Sequence, residues 1–187
     1  YKTSKGKNII FDNLSFQIIK GEKVGIIGQN GAGKSTLLRL LGDVEKPSSG
    51  NIERNMSVSW PLAFGGAFQG SLSGLDNTRF ICRVYNRPLE GAEAYIQNFA
   101  ELGDYYYEPV KSYSSGMRAK LAFGISMLID FDCYLIDEIT AVGDAKFQQK
   151  CEYELWDQKS SSAMIIVSHD ENVIRQRCSK VILLEKD

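Results

Sequence analysis

The stretch Gly28-Gln29-Asn30-Gly31-Ala32-Gly33-Lys34-Ser35-Thr36 constrains this chain more than any other, because it completes the pattern GxxxxGK[ST]. The apolar run Val24-Gly25-Ile26-Ile27 before it reads as a buried strand, and Leu37-Leu38-Arg39-Leu40-Leu41 after it reads as a helix. A strand, a glycine-rich turn and a helix in that order wrap backbone N–H groups around a polyphosphate. The helix also aims its positive end at the same point. Lys34 is placed to reach the β- and γ-phosphates, and the Ser35 hydroxyl to complete a Mg²⁺ shell. Gly28, Asn30, Gly31, Ala32, Gly33 and Thr36 make up the rest of the expected cradle. The pattern predicts that the chain binds a nucleoside triphosphate.

A length of 187 residues suits one globular unit, or a core with a small inserted subdomain. The net charge of −1 and the lack of any basic tract or aromatic-and-basic stripe argue against nucleic acid as a partner. The apolar run Ala163–Val167 is about five residues, whereas a membrane span needs roughly 20. No bilayer crossing and no signal peptide are expected. Cys82, Cys133, Cys151 and Cys178 are scattered with no CxxC pair, which predicts reduced thiols and neither a disulfide framework nor a cysteine metal site. The chain opens on Tyr1 where an initiator methionine would stand, so we expect a longer parent protein.

Ile9–Phe11 and Leu14–Ile18 read as short strands joined by an Asp12-Asn13 turn, and Asn51–Ser59 as a further extended piece. From about Asp76 to Ile129 the spacing turns helical, with Phe80, Ile81, Val84 and Tyr85 and then Ile96, Phe99, Ala100 and Leu102 recurring. Cys133–Ile136, Ala163–Val167 and Val181–Leu184 are strands by residue type, with a helix at Lys146–Trp156 between the first two. Alternating strands and helices predict a mainly parallel α/β sheet. The central helical stretch is too long for a simple crossover and is expected to be an inserted subdomain. The expected division is a catalytic core over about 1–68 and 130–187, with a helical subdomain over about 69–129.

Three further elements carry chemistry. Asp137-Glu138 closes the strand Cys133–Ile136 at its carboxyl end, where open parallel sheets bind ligands. Phosphoryl transfer depends on positioning and charge neutralisation. An adjacent acid pair can divide that work, with Asp137 on Mg²⁺ through water and Glu138 taking a proton from the attacking water. Tyr113-Ser114-Ser115-Gly116-Met117-Arg118 opens a helix with small residues that offer N–H groups and hydroxyls to an anion, while Ser114 also serves as an ordinary N-cap. The only histidine, His169, follows the strand Ala163–Val167 at the ligand end and is a candidate γ-phosphate contact.

These elements in this order resemble the nucleotide-binding subunit of ATP-binding-cassette (ABC) proteins, over essentially the whole chain. The resemblance implies a P-loop NTPase fold with an antiparallel β edge, and ATP with Mg²⁺ as ligands. It places Ser114, Ser115 and Gly116 on the family's LSGGQ signature, from which Ser115 and Met117 depart. It sets Asp144 on the loop that crosses to a partner subunit. Tyr1 falls on the aromatic that stacks on adenine, which implies that a preceding strand is missing from this chain. Gln69, in Gly66-Ala67-Phe68-Gln69-Gly70, falls on the glutamine that senses metal and water beside the membrane subunit, although the usual preceding proline is absent.

The departures narrow the resemblance. Ser59-Trp60-Pro61-Leu62 and the run Gly65–Gly74 look like the ATP-binding protein of bacterial capsular polysaccharide exporters. The Tyr113–Arg118 and Thr140–Ala145 segments are shared with O-antigen and teichoic acid exporters. Some O-antigen relatives carry a carbohydrate-binding extension after the core, and a protein ending at Asp187 without one is what the capsule branch leads us to expect. The resemblance then implies an ATP-hydrolysing homodimer that sandwiches two nucleotides. Its further partners are polytopic permease subunits and other envelope export components, at the cytoplasmic face of the bacterial inner membrane. Other classes fit less well. Chromosome-maintenance ATPases place a coiled coil in the interval between phosphate loop and signature, here about eighty residues without sustained heptads. Ribosome-acting members carry two cassettes, and a metabolic P-loop kinase has no need of Ser114–Gly116 or His169.

Overall fold

The computed structural model describes residues 2–3, 6–7, 9–62, 68–137, 143–168 and 170–185. Five strands form one sheet in the order β4-β5-β6-β3-β7: β3 is Lys23–Gly28, β4 Val58–Pro61, β5 Cys133–Asp137, β6 Ala163–Val167 and β7 Lys180–Leu184. Every neighbouring pair in this sheet is parallel. A separate antiparallel pair is formed by β1 (Lys2–Thr3) and β2 (Gly6–Lys7); among the described residues it is not joined to the five-stranded sheet, so it does not supply the expected antiparallel edge.

Strict alternation of side chains along the strands feeds two apolar layers. On β5, Tyr134 and Ile136 enter one core while Cys133 and Leu135 enter the other; on β6, Met164 and Ile166 oppose Ala163, Ile165 and Val167 in the same way. A parallel strand covered on both faces reads as an unbroken apolar run, which is why these two were visible in the sequence. One face is covered by α1 (Lys34–Leu41) through Leu37 and Leu38. The other face carries α2 (Gly74–Val84), α3 (Ala92–Ala100), α4 (Ser115–Leu128), α5 (Ala145–Tyr153) and α6 (Glu171–Arg177). Within this layer α4 is buried all round from Leu121 to Leu128. A Cβ on Gly124 would lie 3.1 Å from Phe99, so α3 and α4 approach closely there.

The expected strands at 9–11 and 14–18 do not form. Asn13 turns the chain with φ 54°, and Phe11, Phe16 and Ile18 pack individually against the α1-side core. An isolated two-stranded hairpin is marginal, so apolar burial decides the conformation here. The extended piece expected over 51–59 is a strand only from Val58, and it continues to Pro61. The helix expected to end at Trp156 changes at Glu154 into a π-helical turn reaching Gln158.

Candidate nucleotide site

The phosphate loop leaves β3 at Gly28, whose backbone lies so close to β7 that a Cβ would meet the Leu184 carbonyl oxygen at 2.4 Å. The loop turns through Gln29, whose carbonyl accepts from the Ala32 N–H at 3.1 Å. Gly33 then caps α1 with φ +96°, and a side chain there would strike Ile10 and Phe11 at 2.5 and 2.8 Å. Those two residues form the floor that the broken hairpin supplies. Lys34 is 92% withdrawn from solvent (8% exposed), and its Nζ donates to the carbonyls of Gly28 at 2.8 Å and Gln29 at 3.1 Å. The ammonium is thereby held at the centre of the loop, while Asn30, Gly31 and Ser35 stay exposed on its rim. Ala32 is buried beneath them, and Thr36 accepts from Arg39 Nη2 at 3.3 Å.

β5 ends beside this loop. Ser35 Oγ donates to Asp137 Oδ2 at 3.3 Å, so the two residues expected to share a metal are neighbours in space. A hydroxyl and a carboxylate are hard oxygen donors of the kind Mg²⁺ takes. Among the described residues no cluster of three or more His, Cys, Asp or Glu could hold a metal alone. Glu138, His169 and Tyr1 lie outside the described residues.

A second group assembles elsewhere. Ser114 caps α4 by accepting from the Met117 N–H at 3.2 Å. Asp144 caps α5 in the same manner, from the Phe147 N–H at 2.9 Å. That N–H, and next the Lys120 ammonium, hold the Asp144 carboxyl below its ordinary value. Ser114, Gly116, Met117, Lys120, Gly143 and Asp144 face one cleft of about 380 Å³, rimmed also by Tyr105. Ser115 stands exposed at the first position of α4.

Gln69 is exposed, and its backbone is clamped by a residue that sequence reasoning missed. Asn77, 1% exposed, accepts from the Gln69 N–H at 3.0 Å and donates to the carbonyls of Gln69 and Ser73 at 3.2 and 2.8 Å. The segment after Gln69 is stitched to the one before the α4 cap. Lys111 N–H donates to Gly70 O and Val110 N–H to Leu72 O, each at 2.9 Å, and Ser73 bridges Pro109. Lys120 was missed as well, because a lysine inside a helix reads as solvated surface.

A parallel sheet that presents a lysine-centred glycine loop beside an acid-tipped strand defines a P-loop NTPase. The chain belongs to the ABC transporter family, which it matches over residues 11–141, and it binds ATP as members of that family do. It is 54% identical over 186 residues to the capsule polysaccharide export ATP-binding protein CtrD of Neisseria meningitidis serogroup B, covering 100% of this chain and 86% of that protein. It is 39% identical to the teichoic acids export ATP-binding protein TagH of Staphylococcus haemolyticus, over 97% of this chain and 71% of that one. In fold it is similar to a dimeric post-hydrolysis ATP-binding cassette bound to ADP and Pi, with TM-score 0.77, 21% identity and coverage of 100% and 92%.

Proposed function

We propose that this chain is the ATP-hydrolysing subunit of an exporter that drives capsular polysaccharide across the bacterial inner membrane. The observation that carries the hydrolytic part is the meeting of Ser35 and Asp137 beside the Lys34 loop. The substrate class is supported by the 54% identity with a capsule export protein across the full chain, against 39% for a teichoic acid exporter. In this reading Lys34 and the loop N–H groups bind the β- and γ-phosphates, and Ser35, Asp137 and the Gln69 side chain hold Mg²⁺. The ion, when bound, neutralises charge developing on the phosphates. Glu138 takes the proton of the attacking water, and His169 contacts the γ-phosphate. Tyr1 stacks on adenine.

Ser114, Ser115, Gly116 and Asp144 serve the nucleotide of a second copy. Support comes from the cleft that Ser114, Gly116 and Asp144 line, whose described lining residues include none from the phosphate loop. A head-to-tail homodimer then closes only when both triphosphates are present, and that differential affinity drives the cycle. The core over about 1–68 and 130–187 holds the fuel. The helical subdomain over about 69–129, entered through Gln69, meets the permease subunits at the cytoplasmic face of the membrane, where further envelope export components join. Among the described residues no helix is long and apolar enough to cross a membrane.

The deciding experiment is complementation of a capsule-export strain lacking its ATPase, with co-purified partners identified. Surface polysaccharide restored together with a co-purifying permease is expected. Rescue of a teichoic acid or O-antigen exporter alone would reassign the cargo, and co-purification with ribosomes or DNA would overturn the export reading.

A further inference from the structure

We infer that Lys120 is a positioning residue for hydrolysis, locking the Asp144 loop to the start of α4 so that both reach the partner's nucleotide as one surface. This rests on the two-copy reading above and adds a residue with no role in it. Lys120 lies four residues beyond Gly116, hence on the same face of α4, the face that lines the cleft. Its Nζ sits 3.4 Å from Asp144 Oδ2 and 5.1 Å over the Phe147 ring.

The far side of this contact is buried and packed. Phe147 is 2% exposed and packs edge-on against Phe99 and Phe123. Gly143 takes φ +74°, and a Cβ there would come within 2.9 Å of Phe147, so the Gly143 backbone lies close against the ring. Asp144 is then fixed at one oxygen by the Phe147 N–H and at the other by Lys120.

The Lys120 side chain is only 19% exposed while that of Asp144 is 67% exposed. An ion pair with so solvated a carboxylate adds little to stability. Its consequence is orientation. With Lys120 removed the loop and the helix start keep their folds but lose their common register, and misplacement on the ångström scale is costly in a site that acts by alignment.

The test uses the dimer-forming protein and three variants. Lys120→Met keeps the stem on Phe147 and deletes the charge, and Lys120→Arg keeps the charge. Asp144→Asn retains a helix cap, since Asn and Asp cap equally well, but loses the ion pair. We expect Lys120→Met and Asp144→Asn each to lower kcat by about tenfold with no change in affinity for a fluorescent ATP analogue. The double variant should lose no more than either single one, and Lys120→Arg should recover most of the rate. A kcat for Lys120→Met within about twofold of wild type overturns the proposal, as do losses that multiply in the double variant. Wild-type protein that turns over as a monomer removes the two-copy reading itself. A wild-type dimer with an indifferent Lys120→Met removes the proposal alone.

Discussion

The Ser35 hydroxyl donates to Asp137 Oδ2 across 3.3 Å, joining the first turn of α1 to the tip of β5 over 102 positions of sequence. The sheet order makes this possible: β6 lies between β3 and β5, and all three run parallel, so their carboxyl ends open on one side. Asp137→Asn should therefore lower turnover by on the order of 100-fold, the scale of losing one charge-stabilising group. Ser35→Ala should raise the Mg²⁺ concentration needed for half-maximal rate. Phosphate release measured against Mg²⁺ concentration checks both, and an unaltered Mg²⁺ dependence would count against the pair as metal ligands.

Lys34 holds its ammonium between two loop carbonyls, ready for an anion. Lys34→Ala should weaken ATP binding by about 10- to 100-fold, the span of a hydrogen bond to a charged group. Equilibrium titration with a fluorescent ATP analogue reads it directly.

Glu138→Gln should leave nucleotide affinity intact while lowering turnover by about 10²–10⁴-fold, the range of a general base. The same variant should accumulate as a dimer in ATP, seen by gel filtration. Normal turnover would strip Glu138 of that role.

Asn77→Ala removes one acceptor and two donors from a site with 1% exposure. The Gln69 N–H loses its side-chain partner, and a cost of about 1–3 kcal/mol is expected. Chemical unfolding of the two proteins measures it, and equal midpoints would show the clamp to be redundant.

Asp132 anchors the β4–β5 junction. The Lys20 ammonium foremost, with the Ser57 N–H and hydroxyl, holds its carboxyl at about 2, below an ordinary 3.8. A depressed value means the folded chain prefers the charged form. This contribution is complete above 3.8 and disappears as the pH falls from there to about 2. Asp132→Asn should flatten the acid limb of the unfolding profile in that window, followed by circular dichroism.

The phosphate loop, β5 and β6 were legible because each is a short pattern whose physics is local: glycines that permit a turn, or branched apolar residues wanted on both faces. β7 showed by its branched apolar residues alone, since at the edge of the sheet it leaves Val181 and Leu183 exposed. Ile9–Ile18 misled because alternation of apolar residues signals burial before it signals pairing. Here Phe11, Phe16 and Ile18 bury themselves one by one against the α1-side core. The ends of α5 escaped for another reason, since apolar spacing is much the same for an α turn and the π turn at Glu154–Gln158. Asn77 and Lys120 act through partners 8 and 24 residues away, and no spacing rule announces which polar side chain will turn inward.

The seam in which Gly70 and Leu72 lend their carbonyls to Lys111 and Val110 has a mechanical meaning. A shove delivered near Gln69 cannot dissipate in slack chain, because every ångström of travel tugs on the 3-10 turn Val110–Ser112 that leads to Ser114. Two places that a reader of the sequence would treat as separate loops are, in the folded molecule, the two arms of a single lever.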